Sequence, residues 1–210
     1  KKTKEGYLVF SQDRHDDIMY DYLQYNADFT EIQTKILMDH PELISLSLQS
    51  AISVGDDTRY VKVFDNRIYG LRNGEEYIDY ALDFKELSIT KEDISKGIDY
   101  VFSLAYAGKR AVSIDNLIYN KDYIAFTFFY KGDLHSCLHS LSSKSNYYFG
   151  PHINNALNNC QIKSYIPETK TFIAIADATK VHMLEGKSSE NSVINEKYSN
   201  PAIVFFKIQE

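Results

Sequence analysis

Residues 59–72 constrain this chain most. Arg59-Tyr-Val-Lys-Val-Phe64 alternates in the way of a half-buried strand, and Arg67-Ile-Tyr-Gly-Leu-Arg72 returns as a second one. Asp65-Asn66 between them is a tight-turn signal, although it lacks the usual glycine. A hairpin at this point limits what the preceding residues can build. Three segments there carry helical spacing. Asp16 and Asp17 suit the start of a helix bearing Ile18, Met19, Tyr22 and Leu23 on one side, and Asn26-Ala27-Asp28 breaks it. A second helix is predicted from Thr30 to about Met38, with Ile32, Ile36 and Leu37 beside Phe29. His40-Pro41 opens a third, in which Leu43, Leu46, Leu48, Ala51 and Ile52 form an apolar side. Gly55-Asp56-Asp57 ends it.

Three short helices and a two-stranded hairpin follow the order of a winged helix. The stretch Leu46 to Arg72 resembles the end of the HARE-type winged helix. The shared features are the strand Tyr60-Val61-Lys62-Val63, the turn Asp65-Asn66 and the strand Tyr69-Gly70-Leu71-Arg72. The resemblance covers residues 12–73, about a third of the chain. It departs at Asn66, where the family pattern usually has glycine. It implies a module found in DNA-associated and restriction-type proteins, with the third helix in the major groove and the hairpin along the backbone.

The expected function is therefore that of a DNA-binding protein, or the non-catalytic recognition portion of a restriction-type endonuclease, with double-stranded DNA as partner. Ser47, Gln49 and Ser50 are the helix residues placed to meet DNA; an amide such as that of Gln49 can pair with adenine. Arg59, Lys62, Arg67 and Arg72 are the hairpin cations for phosphates, opposed within the hairpin only by Asp65. Charge argues the other way upstream. Ser11–Thr58 holds ten acidic residues and two basic ones, a net of −8. The whole chain carries −6. An acidic protein-interaction module is thus the alternative, with a protein as partner.

The predicted fold class is α+β: a winged-helix domain over 1–75 and a strand-rich α+β domain over 76–210. In the second domain a helix is expected from Thr90 or Asp93 to Ala107, with Ile94, Ile98, Val101, Phe102 and Ala105 on one face and Gly108 closing it. Strands are expected at 111–114, 122–131, 170–176, 180–184 and 202–208, a helix at 153–160, and an exposed loop at 186–200.

Several local patterns bear on chemistry. Asp133-Leu-His135-Ser-Cys137-Leu-His139 is rich in metal-ligand types, with His152 and Cys160 downstream. On a strand all four odd positions would share one face, and ordinary histidines at a part-buried edge account for them; no metal is assigned. Glu168-Thr-Lys170 has the acid-x-lysine form of metal-dependent nucleases and makes nuclease chemistry a second alternative, with Asp133 as the further acid. Gly108-Lys109-Arg110 lacks the spacing of a phosphate loop. The aromatics after Asp99 suit base stacking, but alternating rings more often form a strand's core. No cofactor is assigned.

No apolar run reaches the roughly 18 residues of a membrane helix, and no apolar segment follows the basic opening Lys1-Lys2-Thr3-Lys4. The chain has only Cys137 and Cys160. A cytoplasmic location, with no membrane contact, is the expectation from these features.

Overall fold

A computed structural model describes residues 6–10, 14–15, 18–38, 52–54, 58–150, 160–176 and 201–208. They form four antiparallel sheets, each drawn from one stretch of chain. The first contains β1 (Tyr7–Phe10), β2 (Arg14–His15), β3 (Ile18–Tyr25) and β4 (Ile32–Leu37), with β3 central. The second runs β5 (Ile52–Val54), β6 (Thr58–Val61), β7 (Arg67–Arg72), β8 (Glu75–Ala81). The third is β9 (Val112–Tyr119), β10 (Tyr123–Tyr130), β11 (Asp133–Ser140), β12 (Asn146–Phe149). The fourth is β13 (Gln161–Ile166), β14 (Thr171–Ala176), β15 (Ala202–Phe206).

The sheets stack face to face in chain order. Leu8, Tyr22 and Ile36 of the first pack on Tyr60, Tyr69 and Leu71 of the second. Val61 and Ile68 of the second meet Ile114, Leu117, Ile124 and Phe126 of the third. Tyr123, Ala125, Leu138 and Phe149 of the third pack on Ile162 and Phe172 of the fourth. The inner sheets are thus covered on both faces. That is why β10 reads as an apolar run interrupted only by the buried Thr127 rather than as an alternating one. First strands also touch, β5 with β9 and β9 with β13. Contiguous meander sheets stacked in order, first strand beside first strand, resemble consecutive blades of a β-propeller.

Two helices interrupt the series, α1 (Lys91–Ser95) and α2 (Ile98–Tyr106). The helix expected over this stretch is present but broken at Gly97, whose φ of 90° ends the first segment. Ile94, Val101 and Ala105 are buried against Phe64 and Val112, with Ile98 and Phe102 alongside. Gly108, at φ 68°, closes α2 as expected.

Thr90 and Asp93 form a capping box on α1, and Arg110 Nε donates to Asp93 Oδ2 at 2.7 Å. Burial alone would raise the Asp93 carboxyl, but the bonds from Arg110 and Thr90 outweigh it and hold the group below the ordinary carboxylate range. A depressed folded-state pKa adds stability that is complete above the unfolded value, near about 4, and is lost as pH falls through the folded value. Asp93→Asn should therefore cost about 1–2 kcal/mol at neutral pH and flatten the acid limb of a denaturation series. An unchanged acid limb in that series would refute the assignment.

The predicted winged helix is absent. Residues 18–25 and 32–37, read as its first two helices, are the paired strands β3 and β4. The third helix was expected to extend through Ile52, but Ile52–Val54 is a strand paired with β6. The rest of that helix, including Ser47, Gln49 and Ser50, lies outside the described residues. The fold class is accordingly mostly antiparallel β with two short helices, not a winged helix followed by α+β. β8 pairs with β7 across residue 75, where the domain boundary was placed. The hairpin at 59–72 is real, but its loop is longer than Asp65-Asn66. β6 ends at Val61 because Phe64 turns to a φ of 55° and sinks its ring beside Phe102. Strands expected at 122–131, 170–176 and 202–208 are β10, β14 and β15 within a residue or two, and the one at 111–114 opens β9. The strand at 180–184, the 186–200 loop and residues 153–159 of the expected helix lie outside the described residues.

Candidate functional site

The cations expected to reach phosphates turn inward or pair locally. Arg59 Nε donates to Asp79 Oδ2 at 2.6 Å, with the guanidinium between the Tyr77 and Tyr119 rings at 5.5 and 5.1 Å. Burial works to lower the Arg59 pKa, yet the Asp79 hydrogen bond and charge raise it overall. Lys62 is 6% exposed, bonds Glu76 Oε1 at 3.1 Å and lies over the Tyr69 ring. Tyr60 donates to the other oxygen of Glu76. Arg67 pairs with Asp65, and Arg72 covers the Tyr77 ring. β8 supplies two of these acids, Glu76 and Asp79, so Arg59 and Lys62 each meet a carboxylate before solvent, while Arg67 and Arg72 stay exposed beside their local partners.

The nuclease pattern is not assembled. Glu168 sits in the exposed 3-10 turn Pro167–Thr169 between β13 and β14, and Lys170 follows it at φ 50°. Asp133 starts β11 in a different sheet. Among the described residues no group of three or more His, Cys, Asp or Glu side chains is placed to hold a metal. Arg110, in the rejected phosphate-loop pattern, serves Asp93.

The ligand-rich stretch is a strand, and its register builds the site. In β10–β11, Ile124 pairs with His139, Phe126 with Cys137, Phe128 with His135 and Tyr130 with Asp133. Cys137 and His139 pair in turn with Tyr148 and Asn146 of β12. Strand alternation puts all ten of these side chains on one face of the third sheet. Tyr80, Leu82, Phe84 and Leu87, from the end of β8 and the segment after it, cover part of that face. A cleft of about 560 Å³ remains between the two.

Its floor is aromatic. The Phe84 ring lies 5.1 Å from Phe128 and meets Phe126 edge-on at 6.4 Å. His135, 1% exposed, stacks on Phe128. Its Nε2 lies 2.8 Å from the Tyr130 carbonyl oxygen, so that nitrogen carries the proton. Nδ1 then accepts the Tyr148 hydroxyl. Burial, with smaller effects from Tyr130 and Cys137, pushes Tyr148 up to about 12, which keeps it a donor. Gly150 is needed here, since a Cβ would fall 2.3 Å from His135 Nδ1. Burial likewise pushes the Cys137 thiol up to about 11, leaving it protonated at neutral pH and a poor nucleophile. His139 Nδ1 lies 2.8 Å from Asn146 Oδ1. These bonds fix His135, Tyr148, His139 and Asn146 in orientation, and the arrangement offers shape and orientation more than a reactive centre.

Position 135 was singled out as a metal-ligand type, and it serves as the cleft's internal prop. The wall from Tyr80 to Leu87 was not anticipated. Its signal was the alternation Tyr80, Leu82, Phe84, in a stretch to which no element was assigned.

Fold and cleft together define a β-sheet protein built from stacked meanders with an aromatic ligand-sized groove. No family model matches the chain, and no curated protein does. Among solved structures it is similar to a protein of Bacteroides fragilis NCTC 9343 described as a "putative exported protein", with a TM-score of 0.67 and 12% identity over 97% of this chain. The chain spans 62% of that protein's length. At this identity the likeness shows the fold alone, and it supports neither a winged helix nor a restriction-type DNA-binding protein. The cytoplasmic expectation is also withdrawn: it rested on scarce cysteines and an apolar-poor opening, and the protein sharing this fold is described as exported. Among the described residues no helix is long and apolar enough to cross a membrane.

Proposed function

We propose that this is a binding protein whose cleft over the third sheet takes a small, largely apolar ligand. One observation carries the reading: a 560 Å³ groove lined by aromatic side chains, within the size range of small-molecule sites, with a few polar groups held in fixed orientations. The protonated Cys137 and the fully engaged His135 favour binding over covalent chemistry.

The test uses N-phenyl-1-naphthylamine, a neutral apolar probe whose fluorescence rises on leaving water. Saturable binding at one site per chain is expected, weakened about tenfold or more in Phe84→Ala, since a buried ring contributes roughly 1.5–3 kcal/mol. Phe205→Ser, on an exposed part of the fourth sheet, should leave it unchanged. Failure of the folded protein to saturate with the probe, or loss only in the Phe205 variant, would remove the cleft from consideration.

A further inference from the structure

Resting on the cleft reading above, we infer that the ligand is an organic cation, of the substituted alkylammonium class. The charge pattern of the lining points there. The walls contain Tyr80, Phe84, Phe126, Phe128 and Tyr148, and one carboxylate, Asp83. Among the described residues no lysine or arginine lines the cleft. Asp83 is exposed at the mouth, with one oxygen accepting the Lys85 backbone N–H at 2.8 Å. An apolar cation placed among the rings meets the negative faces of several π-systems while Asp83 stands at the entrance.

The remaining polar groups fit the same ligand. Tyr148 spends its proton on His135, so the phenol oxygen presents lone pairs to the cleft. At neutral pH Cys137 is a thiol and contributes no charge. His139, also in the lining, has its Nδ1 engaged with Asn146 Oδ1, and two charged groups flank the Tyr130 end. Lys131 lies over the Tyr130 ring at 5.4 Å, so a cation already occupies that aromatic surface at the rim. Asp133, opposite Tyr130 in the register, adds a second acid at that end. An anionic ligand would find Asp83 at the mouth and, among the described lining residues, no lysine or arginine to meet it. A neutral apolar ligand would be admitted, but nothing would select it over an isosteric cation.

Choline and 3,3-dimethyl-1-butanol have the same shape and differ only in the charge on the quaternary centre. Titration of the intact chain with each, followed by two-dimensional NMR, separates charge from shape. Choline is expected to bind at least about tenfold tighter than the neutral isostere. Its shifts should map to the backbone of β10–β12 and residues 80–87. Asp83→Asn should lower choline affinity about threefold or more and leave the isostere unaffected, a change that spares the packed wall. Equal affinity for the two compounds, or tighter binding of the alcohol, overturns the cation assignment and leaves the cleft reading standing on the naphthylamine result. If neither compound binds while the naphthylamine does, the cation assignment again fails alone. If none of the three binds, both fail.

Discussion

Arg59→Ala is expected to cost about 3 kcal/mol of folding stability, the largest loss for any single charged residue in the second sheet. The guanidinium is closely bonded to Asp79, and its side chain is 12% exposed against 19% for the acid. Removing it strands a part-buried carboxylate and opens the space between Tyr77 and Tyr119. Urea denaturation of Arg59→Ala, Asp79→Ala and the double variant would measure this. The double variant should be more stable than the sum of single losses implies, by about 1 kcal/mol or more. A single-variant loss under about 0.5 kcal/mol would show that the pair is a surface ion pair of little consequence. The same numbers bear on the phosphate role first expected of this residue, since a cation that holds up the fold is poorly placed to leave it.

Phe172→Ala is expected to cost about 3–5 kcal/mol. Phe172 is 0% exposed and joins two sheets: its ring lies 5.1 Å from Tyr123 in the third and 5.3 Å from Phe206 in the fourth. Truncation leaves a cavity that neither sheet can close, because Tyr165 packs against the same ring from β13. Cleft binding should survive while the protein remains folded, since Tyr123 and Phe128 lie on opposite faces of β10. Thermal unfolding monitored alongside naphthylamine binding checks both halves. Near-parental stability, or binding lost while the protein is still folded, would contradict this division of the third sheet's faces.

Much of the region after residue 58 was legible, and the reasons are local. β6 and β7 alternate around a turn, Thr90 and Gly108 bracket helical spacing, and β10 is a dense run of β-branched and aromatic residues. The first sheet was misread for two physical reasons. Tyr20, Asp21, Tyr22, Leu23 and Gln24 of β3 are all buried, so neither face shows a polar stripe and strand alternation disappears. In β4, Ile32 and Ile36 are four apart, an even spacing that puts them on one side of a strand as well as a helix. The winged-helix resemblance then took its support from a hairpin common to many folds. The cleft was half legible. The odd-numbered face of β11 was foreseen as one option, but its opposing wall comes from residues 80–87, more than forty positions away, and pairing of that kind leaves no mark in local spacing.

The stacking of sheets in chain order implies a particular cooperativity. Each sheet draws its hydrogen bonds from its own stretch of chain and its burial from the sheets immediately before and after it, so stability becomes a sum of nearest-neighbour couplings, as in a one-dimensional lattice. Damage at one junction should weaken the adjoining layers first and decay with distance along the stack. Among the described residues the first and fourth sheets are each coupled on one side only, and they should open before the middle ones. The outward residues Ile203 and Phe205, each more than 60% exposed on β15, mark one such end among the described residues.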